Sequence, residues 1–211
     1  MNRHPFAIIG RLRSSVFSHR QPHFSLGRRQ FSAKAIYSSF PATLYYYSPR
    51  PTSSLFDHKE IKDRPDDLYD EGVTVEKDGL VYPAVDERSV SNGTIMFPNT
   101  FMMQELVRGY FDEVLDREDE GDQVEKPFIY TISKGTPIPS HLILINEYIS
   151  RFSLQPSRGM LLKELNRSLD EFWAGYAKKE TAENWLNTHP FQDAVSDDED
   201  SVWMGKQPIL R

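Results

Sequence analysis

The stretch Asp78-Gly79-Leu80-Val81-Tyr82-Pro83-Ala84, followed closely by Ser91-Asn92-Gly93-Thr94-Ile95-Met96-Phe97, decides how this chain is read. Leu80, Tyr82 and Ala84 alternate with Val81, Pro83 and Val85, the period of a short strand, and the proline puts that strand at an edge or close to its end. Asn92 and Gly93 add a small polar loop in which the backbone turns tightly. The same kind of unit returns downstream. Phe128-Ile129-Tyr130-Thr131-Ile132 reads as a strand, Lys134-Gly135-Thr136-Pro137-Ile138-Pro139 as a turn, and Leu142 to Ile145 as the next strand. Arg151 to Leu154 follows as a further strand, ended by Pro156. Upstream, the β-branched and aromatic run Thr43 to Tyr47 is one more, closed by Pro49 and Pro51.

Within the body of the chain, helical spacing marks two long segments. Met103, Leu106, Tyr110 and Val114 form one apolar stripe of a helix from Phe101 to about Arg117, capped by Asn99 or Thr100. Leu162, Leu165, Leu169, Phe172 and Tyr176 repeat on a second helix, Met160 to Lys178, which packs on the strands. Thr181 to Trp185 adds a short third. Strands flanked by a few helices, without a repeating strand-helix-strand rhythm, make a single α+β domain over residues 41–191.

The flanks differ from this body. Residues 1–56 hold eight basic side chains and no Asp or Glu, whereas the rest carries the other 17 basic and all 31 acidic side chains, 14 in acidic excess. Such a body repels phosphate backbones, so nucleic acid is not an expected partner. The basic, serine-rich beginning has the composition of a mitochondrial presequence over residues 1–35, with Phe6, Ile9, Leu12 and Val16 at helical spacing and a peptidase-like site after Phe31. A basic tail without an address has the same composition. Residues 192–211 read as an acidic, flexible tail. Cysteine is absent, which excludes disulfides and thiol nucleophiles, and the histidines are scattered, so no metal site is expected. No apolar run approaches the length of about 20 residues that spans a bilayer.

Taken in order, the short segments resemble the exported toxin-two family of bacterial type VI secretion, an ADP-ribosyltransferase-like toxin domain, over about Ala42 to Lys178. Thr43-Leu44-Tyr45-Tyr46 resembles the family's opening Thr-Leu-Tyr-Arg. The stretch from Asp78 resembles Asp-Gly-Leu-Tyr-Ala-Pro, and Gly93-Thr94-Ile95-Met96-Phe97 resembles Gly-Thr-Ser-x-Phe. Gly135 to Pro139 is similar to Gly-Thr-x-Ile-Pro, Tyr148 to a lone tyrosine, and Arg151 to Pro156 to His-Tyr-x-Ile-x-Pro. Three positions depart from the pattern. Tyr46 replaces the arginine, Ile95 the serine and Arg151 the histidine. The helix from Phe101 and its charged linker have no counterpart and read as an insertion.

The resemblance implies a split, curved β-sheet with flanking helices and NAD in the cleft between its halves, used as a substrate without a metal. Thr94 and Glu147 become the candidate catalytic residues. Tyr45, Tyr46, Asn92, Gly93, Thr94, Tyr148, Arg151 and Phe152 become the candidate NAD-binding residues. Tyr45 and Tyr46 point to opposite faces of their strand, one toward core and one toward the cleft. Arg151 is suited to clamp a pyrophosphate. Each has a plainer account: a turn threonine, packed tyrosines, a surface arginine paired with Glu147, a solvated glutamate. The function implied is an NAD-dependent toxin that transfers ADP-ribose to an acceptor or consumes NAD, with an antitoxin-like protein as a partner. The alternative is a catalytically degenerate relative that binds a nucleotide or a protein, and a mitochondrial scaffold is a third reading.

Overall fold

The computed structural model describes residues 34–60, 72–86 and 89–197. Residues 1–33 of the proposed presequence and most of the acidic tail lie outside them. Among the described residues eleven strands and three α-helices follow one another: β1 (Ala35–Tyr37), β2 (Leu44–Ser48), β3 (Phe56–Asp57), β4 (Gly72–Val73), β5 (Leu80–Val81), β6 (Thr94–Met96), α1 (Phe101–Asp119), β7 (Phe128–Ile132), β8 (Leu142–Tyr148), β9 (Arg151–Pro156), β10 (Met160–Leu161), α2 (Leu162–Tyr176), β11 (Lys178–Thr181) and α3 (Ala182–Thr188). The described fold therefore begins ahead of residue 41 and reaches past 191, where Val195 bridges Thr100.

Two antiparallel sheets carry the fold, in the orders β1-β8-β9-β6 and β11-β7-β2. They meet at one seam, where Tyr45 N donates to Phe97 O at 2.7 Å and Phe97 N donates to Tyr45 O at 3.0 Å. Neither closes, and the two small pairs β5–β10 and β3–β4 form sheets of their own. This is a single α+β domain with a split sheet. The turn at Gly135 (φ 84°) joins β7 to β8 without pairing them, because it passes the chain from one sheet to the other.

Both faces of the seam are covered. Leu44 and Tyr46 of β2 enter the larger core with Met96, Phe152 and Leu154, closed by Leu165, Leu169 and Phe172 of α2. Tyr45 and Tyr47 enter a smaller core with Ile95 and Phe97, closed by Met103 and Val107 of α1 and Trp185 of α3. The helix read as an insertion is thus one wall of that core. Thr100 caps it, its hydroxyl accepting from Met103 N at 3.3 Å.

The opening stretch acts locally. Gly79 (φ 82°) turns the chain, and Asp78 accepts from Leu80 N at 3.1 Å and from the Tyr82 hydroxyl at 2.7 Å. Those two bonds, the tyrosine's first, hold the Asp78 carboxyl below its ordinary pKa.

Candidate functional site

Alternation along paired strands sorts the candidate residues onto two faces. Thr94 pairs with Leu154, Ile95 with Ser153 and Met96 with Phe152. Residues directly opposite share a face, so Thr94, Met96, Phe152 and Leu154 point into the larger core. Ile95, Ser153, Gln155 and Arg151 point the other way. Thr94 and Arg151 therefore do not line one hollow.

On the core face, Thr94 is 2% exposed and its hydroxyl has no hydrogen-bond partner. Tyr46 stacks on Trp173 with centroids 5.2 Å apart and on Tyr130 at 5.8 Å. Phe152 is fully buried. The expectation that one tyrosine of β2 packs and the other lines a cleft does not hold, because α1 and α3 cover the second face as α2 covers the first. Tyr45 is buried beside Trp185 and meets His189, with its hydroxyl 3.3 Å from Nε2. His189 Nδ1 lies 3.0 Å from the Trp185 carbonyl and 3.1 Å from the Thr188 hydroxyl; in the tautomer that donates from Nδ1 to the carbonyl, Nε2 accepts from Tyr45. Burial, with the charge of Glu180 added, pushes the Tyr45 phenol up.

Asn92 and Gly93 shape the entry to β6. Asn92 accepts from Thr74 N at 2.6 Å and donates to Tyr82 O at 2.7 Å, which ties three segments together. A Cβ on Gly93 would lie 2.2 Å from Leu154 O, so only glycine lets β6 approach β9 here.

On the opposite face, β8 and β9 build a polar cluster. Asn146 pairs with Phe152 and Tyr148 with Arg151, so Glu147 is the extra residue of a β-bulge. The bulge turns its carboxylate toward β9. One oxygen accepts from Ser153 Oγ at 2.5 Å and from Gln155 Nε2 at 2.7 Å; the other accepts from Lys34 Nζ at 2.7 Å. The ion partner of Glu147 is thus Lys34, where the sequence offers Arg151. Gln155 also accepts from Ala84 N at 2.7 Å. The hairpin tip beside this cluster is strained, with Ile149 at φ 44°. Tyr148 stands 54% exposed at its edge.

Sequence reasoning missed Lys34, Ser153, Gln155 and His189. Ser153 and Gln155 carry the readable signal, since with Arg151 they alternate with Phe152, Leu154 and Pro156 and mark one polar face of the strand. Among the described residues no three His, Asp or Glu side chains gather to hold a metal, and no helix is long and apolar enough to cross a membrane.

No curated protein matches the chain. The model of the family described as the Tse2 ADP-ribosyltransferase toxin matches residues 42–185, which contain both sheets' inner strands, the Glu147 bulge and the three helices' buried faces except the end of α3. By that match over more than half its length, and by the split α+β sheet that carries it, this chain belongs to the Tse2 ADP-ribosyltransferase toxin family.

Proposed function

We propose that this ADP-ribosyltransferase-like toxin is directed at NAD, transferring ADP-ribose to an acceptor or consuming the dinucleotide, on the sheet face that carries Glu147. The observation that supports the reading most is the bulge at Glu147, which sets a carboxylate on the same face as Ser153 and Arg151, beside the exposed ring of Tyr148. Those groups fit the dinucleotide by chemistry. The guanidinium suits a pyrophosphate, the ring suits a stacked base or nicotinamide, and the carboxylate suits ribose hydroxyls. Bound NAD supplies the ribosyl group, whose carbon gains positive character as nicotinamide leaves. In such a step Arg151 binds and orients, and Glu147 offers negative charge where positive charge develops. Thr94, its hydroxyl orphaned in the core, is kept out of this site.

Full-length protein mixed with NAD should release nicotinamide, and Glu147→Gln should lower the rate by about a hundredfold. The second reading, a degenerate member that binds a nucleotide or protein, is favoured by the packing of Thr94 and Tyr46 into the core. It predicts no nicotinamide but a higher melting temperature with NAD. We further propose mitochondrial import through the acid-free N-terminus and an antitoxin-like partner, which composition and family membership support. A reporter fused to residues 1–35 that stays in the cytosol would remove the first.

A further inference from the structure

We propose that Lys34 is an intramolecular latch: docked with β1, it closes the Glu147 carboxylate, and undocking of β1 exposes it. The inference builds on the reading of Glu147 as the site's carboxylate, but its own test does not require catalysis.

The Lys34 ammonium has three donors and three acceptors. It reaches Glu147 at 2.7 Å, Ser89 O at 2.9 Å and Ala84 O at 3.1 Å. Glu147 accepts three bonds in turn, from Ser153 and Gln155 on one oxygen and from Lys34 on the other. Both side chains are 7% exposed. With three donors on its two oxygens and a side chain 7% exposed, the carboxylate meets a ligand only after one donor leaves. Ser153 and Gln155 belong to β9, held between β8 and β6, and stay where they are. Lys34 is different. It precedes a strand of three residues that is the edge of its sheet and pairs with β8 alone. An edge strand this short opens far more easily than the strands behind it.

Lys34 and Glu147 therefore join β1 docking and carboxylate closure into one equilibrium. With β1 docked the pair satisfies itself; with the ammonium withdrawn, the buried carboxylate favours the conformation that wets it. A ligand that needs Glu147 binds only the undocked fraction, and its apparent affinity falls in proportion. The family match begins at residue 42, so the latch lies in the part of this chain that precedes it.

Amide hydrogen exchange on the full chain tests this, with Lys34→Met and Lys34→Arg beside the wild type. Lys34→Met is expected to speed exchange about tenfold or more at residues 35–37 and 142–148, leaving β7 and α2 unchanged, while Lys34→Arg stays near the wild type. Unchanged exchange in Lys34→Met would overturn the latch, as would acceleration throughout the molecule, which would make Lys34 a general structural residue. If NAD is cleaved, Lys34→Met should release nicotinamide about tenfold faster, and equal rates would also overturn it. If no form releases nicotinamide and the local exchange difference is present, the latch stands and the NAD reading fails.

Discussion

Gly93 shows how little freedom the centre of this fold allows. Its missing Cβ is the space through which β6 reaches Leu154, and Gly93→Ala is expected to cost about 3 kcal/mol in denaturant unfolding, because strand backbone rather than a flexible side-chain end must yield. A loss under about 0.5 kcal/mol would mean that the two strands separate without penalty. Thr94, its neighbour, makes the opposite case. A buried hydroxyl without a partner is a burden on stability, so Thr94→Val should unfold within about 1 kcal/mol of the wild type, on the stable side. The sequence singles out Thr94 by its place after Asn92 and Gly93, and that much was readable. Its direction was not, because a side chain's face depends on which residue pairs across from it, and Leu154 lies sixty residues away.

At the level of elements, the strands legible in the sequence are those with an apolar or aromatic run of their own, such as Phe128 to Ile132. Among those missed are β1 and β11, each at an edge of one of the two large sheets. Ala35-Ile36-Tyr37 is too short to show a period and adjoins the basic segment, so its strand character comes from pairing with β8. Lys178-Lys179-Glu180-Thr181 is polar throughout and continues the helical pattern of α2, yet it closes the edge of its sheet against β7. The bulge at Glu147 was illegible for a related reason: it exists only as a mismatch between two strands. Its companion, the hairpin tip, makes a sharp prediction. A β-branched residue at positive φ carries strain of roughly 1–2 kcal/mol, and glycine would return roughly 0.5–1 of it as chain entropy. Ile149→Gly should therefore raise stability by roughly 0.5 kcal/mol, and a clear loss would show that the Ile149 side chain packs more than it strains.

Across the whole molecule, two aromatic cores hold the seam between the sheets, and they leave a signature at high pH. Burial raises the Tyr37 phenol, and burial with the Glu180 charge raises that of Tyr45, above the ordinary value of 10.0. A raised folded pKa means the native state holds its proton longer than the unfolded chain. The stability tied to these protons is complete below about pH 10 and is lost as pH climbs through the folded values. Unfolding measured from pH 8 to 11 should show that decline, and Tyr45→Phe should make it shallower; an unchanged slope would remove Tyr45 as a contributor. The same two cores divide the candidate site, since each face of the sheet is committed before any ligand arrives. What one face buries, Thr94 and Tyr46, is framework. What the other gathers around the bulge, Glu147, Ser153 and Arg151, is the site we propose for NAD.

NAD titrated calorimetrically into full-length wild type, Arg151→Ala and Thr94→Val separates these faces most directly. The Glu147 face predicts that Arg151→Ala weakens binding about tenfold or more, through loss of a charge-assisted contact, and that Thr94→Val binds within about twofold of the wild type. Binding that survives Arg151→Ala and is lost in Thr94→Val would contradict the account and move the site to the other side of the sheet.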